Sequence, residues 1–195
     1  MKKLLPLLLA PTLCAPAALA EDGVFDYTVF EENEDIDLEI DRFDDEWSVT
    51  IVAMSTVTDM PAGLVVHGKL DGEIDNIYLG FAGDHCDEVR ILLDDTMYTF
   101  DTRMQEEVLS SDACAIILTP ETEPFFQALA TAESVDIRLT TASGEDIDTS
   151  ITGSDLEETQ FVLTKLFEQD VLDCHTDEMQ ENWELLELLQ FMTVD

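Results

Sequence analysis

The runs "WSVTIVAM" (47–54), "GLVVHGKL" (63–70) and "NIYLGFA" (76–82) follow one another with only short segments between them. Trp47, Val49, Ile51 and Ala53 fall at every second position, which puts them on one face of an extended chain. Valine, isoleucine and aromatic residues dominate, and Gly, Asp, Asn or Pro bound each run, as in strands joined by turns. The same pattern continues outward in "VFDYTVF" (24–30), "DIDLEI" (35–40), "EVRILLD" (88–94), "MYTFDT" (97–102) and "ACAIILT" (113–119). Residues 88–102 read as a hairpin closed at Asp94–Asp95, and "SVDIRLTT" with "EDIDTSIT" as a second one closed at Ser143–Gly144.

Helical spacing enters late. In "TPETEPFFQALATA" a Thr is set to cap, Pro120 or Pro124 falls in the first turn, and Phe125, Phe126 and Leu129 form an apolar side. A helix over 155–169 opens on a capping box of Ser154 and Glu157 and carries the stripe Leu156, Val162, Leu163, Leu166 and Phe167. Another is expected over 178–192, with Met179, Trp183, Leu186 and Leu189 on one face. It would dock on its own sheet or, as the alternative, on a second copy to make a homo-dimer or in an external groove. The expectation is a mainly β, β-rich α+β fold: an antiparallel, sandwich-like meander with C-terminal helices packed on it, in a single domain over 21–195.

The start of the chain reads differently. Lys2 and Lys3 precede an apolar run, and Ala18-Leu19-Ala20 stands before Glu21, the pattern of a Sec-type signal peptide (1–20) cleaved between Ala20 and Glu21. The run is interrupted by Pro6 and Pro11, and no later stretch approaches about 18 uninterrupted apolar residues, so no membrane segment is expected after cleavage. Lipidation at Cys14 is disfavoured by the bulky Leu13 before it, where the lipoprotein peptidase requires a small residue.

The chain has 8 basic and 45 acidic residues, a formal charge of −37. Nucleic acid is excluded as a partner, because binding a polyphosphate requires cationic neutralisation. A hydrophobic content of 46% in periodic runs excludes wholesale disorder. The charge is read as a solvated surface whose self-repulsion salt relieves, in preference to a cation-binding surface. Asp35, Asp37, Glu39 and Asp41 alternate with Ile36, Leu38 and Ile40, which describes a strand face and lacks the glycine turn and late glutamate of a calcium loop.

After signal cleavage the cysteines are Cys86, Cys114 and Cys174, and an oxidising compartment should pair two of them. Cys86 with Cys114 is preferred, since both border strands of one expected sheet and close the shorter loop, but all three pairings stay open. "DHCDE" (84–88) and "LDCHTDE" (172–178) each join a cysteine to a histidine among carboxylates. Directly adjacent ligands diverge on a strand, and zinc sites favour spaced pairs, so no metal is assigned. The surrounding carboxylates raise a thiol's pKa, which weakens a Cys-His nucleophile at His85/Cys86 or Cys174/His175. His67 reads as a strand residue. Trp47, Tyr78, Phe81, Tyr98 and Phe100 read as core aromatics. The hydrolase and nucleotide-binding signatures G-x-S-x-G, H-E-x-x-H, P-loop and G-x-G-x-x-G are missing. No catalytic residue and no cofactor is assigned.

The order "EVRILLDDTMYTF", "ACAIILTPETEPFFQALATAESVDIRLTTASG", "DIDTSITGSDLEETQFVLTKL", with Trp47 and Val49 upstream as a "W-x-V", resembles the invasion-associated locus B family of exported bacterial envelope proteins over residues 47–166. The family carries a "V-x-L-x-x-D" hairpin, a Cys-x-hydrophobic strand and an "S-L-x-G" ending, matched here by Ser150, Ile151 and Gly153. Its cysteines after the tryptophan and upstream of the Cys114 position are not matched, so its disulfide scheme is not carried over. The resemblance implies a β-rich periplasmic or surface protein without catalysis. The expected function is therefore a noncatalytic periplasmic envelope protein, structural or binding a protein or ligand, with secretion as the alternative destination. Alternatives of other classes are an exported hydrolase or thiol enzyme and a metal or cation binder.

Overall fold

The computed structural model describes residues 24–54, 61–81, 86–101 and 114–174. The signal segment 1–20 with its Ala20/Glu21 junction, His85, His175 and the helix expected over 178–192 lie outside the described residues.

Among the described residues nine strands form two antiparallel sheets. Strands β1 (Leu38–Asp41), β2 (Glu46–Met54), β3 (Pro61–Lys69) and β4 (Ile74–Phe81) run as the expected meander, and β7 (Cys114–Ile117) joins them beside β4. The second sheet has the order β6-β5-β8-β9, from β5 (Cys86–Leu93), β6 (Thr96–Asp101), β8 (Val135–Thr141) and β9 (Asp146–Ile151). The chain thus leaves the first sheet after β4, returns for β7 and leaves again. Both expected hairpins form, with positive φ at Asp94 in the first turn and at Gly144 in the second.

Alternation builds one core. Val49, Ile51, Leu64, Val66, Ile77 and Leu79 from the first sheet are buried with Val89, Ile91, Ile137, Leu139 and Ile151 from the second. Helix α1 (Glu123–Leu129) adds Phe125, Phe126 and Leu129, and helix α2 (Ser154–Phe167) adds Leu156, Val162, Leu163 and Leu166. Phe125 meets Tyr98 and Phe100 of β6 edge-on at 5.3 and 4.9 Å between ring centroids, so the inner side of β6 lies under α1.

Three local expectations are corrected. Residues 24–30 are not a strand: the chain makes a 3₁₀ turn over Tyr27–Glu32, with the Asp26 carboxylate accepting from the Thr28 amide and hydroxyl. A strand would send Phe25 and Phe30, five residues apart, to opposite faces. The turn instead brings both rings to 5.7 Å from Trp47. The acidic strand starts at Leu38 rather than Asp35, because Asn33 to Ile36 close a turn in which Asn33 accepts from the Asp35 and Ile36 amides. Ser154 does not cap α2: Gly153 takes that position with φ 63°, a left-handed exit from β9 that disfavours a side chain, and Ser154 becomes the first helical residue. Asp155 and Glu157 still meet the positive end of the helix dipole there.

The N-terminal arm is held to α2 and its end. The Asp26 amide donates to Gln169 Oε1 at 2.8 Å, Gln169 Nε2 returns a bond to Asp26 O at 3.3 Å, and Lys165 Nζ pairs with Glu32 at 2.7 Å. These contacts fix the aromatic group around Trp47, whose Nε1 donates to Lys69 O at 3.0 Å.

Candidate functional site

The cysteines resolve first. Cys86 and Cys114 form a disulfide with a Cα separation of 5.6 Å, well inside bonding range. The preferred pairing is the one observed and it closes the shorter loop, but the two cysteines do not border strands of one sheet. Cys86 opens β5 in the four-stranded sheet and Cys114 opens β7 in the five-stranded one, so the bond staples the two sheets together rather than neighbours within one. Sequence order could not reveal this, because the chain changes sheet between them, after β6.

Cys174 is a buried free thiol at the end of a 3₁₀ turn, Val171–Cys174, with Sγ 3.8 Å from the Gln169 carbonyl oxygen. Burial pushes its pKa up, and Asp173 and Asp170 push it further in the same direction. The thiolate is thereby scarcer than in a free cysteine, the reverse of what a nucleophile needs.

His67 is a half-buried residue on the outer side of β3, between Ser48 of β2 and Asn76 of β4. Trp47 and Phe81 are fully in the core, whereas Tyr78 lies on the opposite, outer side of β4 beside Gly80. Burial raises the Tyr78 phenol. Among the described residues no three His, Cys, Asp or Glu side chains converge as a metal would require, and no helix is long and apolar enough to cross a membrane.

A different constellation stands on the outer face of the four-stranded sheet. Arg90 of β5 and Arg138 of β8 are direct cross-strand partners, each nearly half exposed on the same side. Going across the strands, this row reads Thr99, Arg90, Arg138, Asp148; the next reads Met97, Leu92, Asp136, Ser150. Between them lies a groove of about 340 Å³ whose walls include Arg90, Leu92, Met97, Asp136, Arg138 and Asp148. Met97 is 57% exposed there.

The arginines are held from their flanks. Arg138 forms a two-pronged pair with Asp148, Nε to Oδ1 at 2.6 Å and Nη2 to Oδ2 at 2.9 Å, while Arg90 Nε donates to Glu88 at 2.6 Å. The hydrogen bond from Arg138 lowers the Asp148 pKa, and the same bond raises that of Arg138. Asp148 lies on the far side of Arg138 from Arg90, and Glu88 lies two residues along Arg90's own strand. The two arginines are therefore direct neighbours across the β5–β8 pairing, each with a carboxylate partner of its own.

Like charges directly opposed across strands are unfavourable, and this chain places two of its few cations in that relation. A guanidinium has five N–H donors in a planar fork, more than one carboxylate accepts. The pair, with Leu92 and Met97 beside it, has the composition of a ligand groove: apolar walls and a small number of placed polar groups. Sequence reading missed it although Arg90 and Arg138 both occupy outward positions of expected strands. The missing information was that β5 and β8, separated by 41 residues of chain between their facing ends, are neighbours.

Comparison with family models, with curated proteins and with solved structures gave no match to this chain.

Proposed function

We propose that this chain is a noncatalytic protein of the bacterial envelope, exported to the periplasm and acting by binding, with the outer face of its four-stranded sheet as the binding surface. The observation that carries this reading is the Cys86–Cys114 disulfide between the sheets, since such cross-links persist where thiols are not kept reduced. It agrees with the export signal read over 1–20. A binding rather than catalytic role is supported by the state of the thiols: Cys86 is consumed in the disulfide, and Cys174 is buried with a raised pKa. Kinship with the invasion-associated locus B proteins is part of the same proposal, supported by the order of elements over 88–166.

The test is expression of the full chain in a Gram-negative host, release of the periplasm by osmotic shock, and intact mass of the protein recovered. The reading requires a chain beginning at Glu21, lighter by two hydrogens than its fully reduced form, in the shock fluid. Retention of the uncleaved, fully reduced chain in the cytoplasm overturns it.

A further inference from the structure

We propose that the Arg90–Arg138 groove binds a small organic oxyanion with an apolar body, the anionic head bridging the two guanidiniums and the body lying along Leu92 and Met97. This deepens the binding role proposed above and rests on it.

The geometry carries the argument. Arg90 and Arg138 are in register on adjacent strands and emerge on the same face. Asp148 orients the Arg138 fork from β9, on the side away from Arg90, and Glu88 orients the Arg90 fork from two residues along β5. An oxyanion in that space would accept from both guanidiniums, and charge-assisted, fork-shaped donation is the mode in which arginine recognises carboxylate and phosphate groups.

The neighbouring row fixes the other half of the ligand. Leu92 and Met97 are themselves cross-strand partners, and Met97, 57% exposed, is a flexible apolar side chain suited to adapting to a guest. A groove of about 340 Å³ is at the lower end of small-ligand sites, which excludes a folded macromolecular epitope as its content. An inorganic ion would use the arginines and leave Leu92 and Met97 bare. The chain's charge of −37 repels anions at long range, so binding should strengthen as salt screens that field and then weaken as salt competes at the arginines.

The experiment is calorimetric titration of the chain from Glu21 to Asp195 with octanoate, octyl phosphate, octanol and inorganic sulfate, at fixed ionic strength. Saturable one-to-one binding is expected for at least one of octanoate and octyl phosphate, and their ratio distinguishes a carboxylate from a phosphate ligand. Octanol and sulfate should each bind at least about tenfold more weakly than that ligand, because each lacks one half of the recognition. Arg90→Gln should weaken the bound amphiphile by about tenfold or more. Met97→Gln should weaken the amphiphile and leave sulfate unchanged.

Arg138→Gln also loses the pair to β9, so Asp148→Asn supplies a variant that keeps the guanidinium. It removes only the carboxylate that orients the Arg138 fork and is expected to weaken the amphiphile less than Arg90→Gln does. Failure of both amphiphiles to bind overturns the ligand assignment, as does equal binding by wild type and a folded Arg90→Gln variant. Sulfate binding as tightly as the amphiphiles overturns the apolar half. These outcomes are separable from the export reading, which is decided by where the chain is found and where it is cleaved.

Discussion

Gly68 of β3 lies directly against the indole of Trp47, its Cα partner on β2: a β-carbon at position 68 would stand 2.6 Å from Trp47 Cζ2 and 2.7 Å from the Glu73 carbonyl oxygen. Trp47 cannot move aside, since Phe25, Tyr27 and Phe30 surround it and its Nε1 is bonded to Lys69 O. Gly68→Ala should therefore destabilise the fold by about 1–3 kcal/mol through overpacking. Gly144→Ala is the control. It meets nothing within 4 Å, and its cost, about 1 kcal/mol, comes only from a left-handed φ of 82°. Urea unfolding followed by circular dichroism compares the two; equal midpoints would show that the Trp47 contact is slack.

The disulfide closes a sequence separation of 28, for which chain entropy gives about 3–4 kcal/mol. Replacing Cys86 and Cys114 together by Ala should lower stability by that order. In the chain beginning at Glu21, one thiol should react after denaturation without reductant. In the native state Cys174 should react slowly with iodoacetamide near neutral pH, being buried with a raised pKa. Rapid native labelling would contradict the environment described for it.

Thr149 faces inward on β9, between exposed Asp148 and half-buried Ser150, and its hydroxyl is buried with no hydrogen-bond partner among the described residues. A buried, unsatisfied hydroxyl costs about 1–3 kcal/mol. Thr149→Val keeps the shape and removes that cost, so it should raise the unfolding midpoint. A clear loss of stability would mean that the hydroxyl has a partner.

Two carboxylates should move stability in opposite directions with pH. Burial raises the pKa of Asp75, outweighing the attraction of Lys69. The folded state then holds this proton more tightly than the unfolded state, so its contribution falls as pH rises from the ordinary Asp value to the raised one. Asp148 is lowered by Arg138, so its contribution is present above the ordinary Asp value and is lost as pH falls through the depressed one. Relative to wild type, Asp75→Asn should gain stability between acid and neutral pH, and Asp148→Asn should lose it. Urea midpoints across that range read both trends; parallel trends would refute the assignment.

Much of the architecture was legible in the chain because strands and turns are local. The alternation in Trp47–Ala53, the Asp94–Asp95 turn and the Ser143–Gly144 turn each specify a face or a reversal from a few neighbouring residues. The helical stripe Leu156, Val162, Leu163 and Leu166 likewise announced which side of α2 would be buried. At 24–30 a distant partner overrode the local pattern, since Trp47 drew Phe25 and Phe30 to one point; at Ser154 the chain's exit from β9 put Gly153, with its positive φ, in the cap position instead.

By itself, then, the sequence determined which segments extend, which coil, where the chain reverses and that an oxidisable cysteine pair was available. Only the tertiary structure decided which sheet each strand entered, that Cys86 and Cys114 would join two sheets, and that Arg90 and Arg138 would stand side by side. The physical reason is that periodicity encodes the face a side chain presents but not the strand beside it. That neighbour is chosen by burial of the whole core, through pairings distant along the chain.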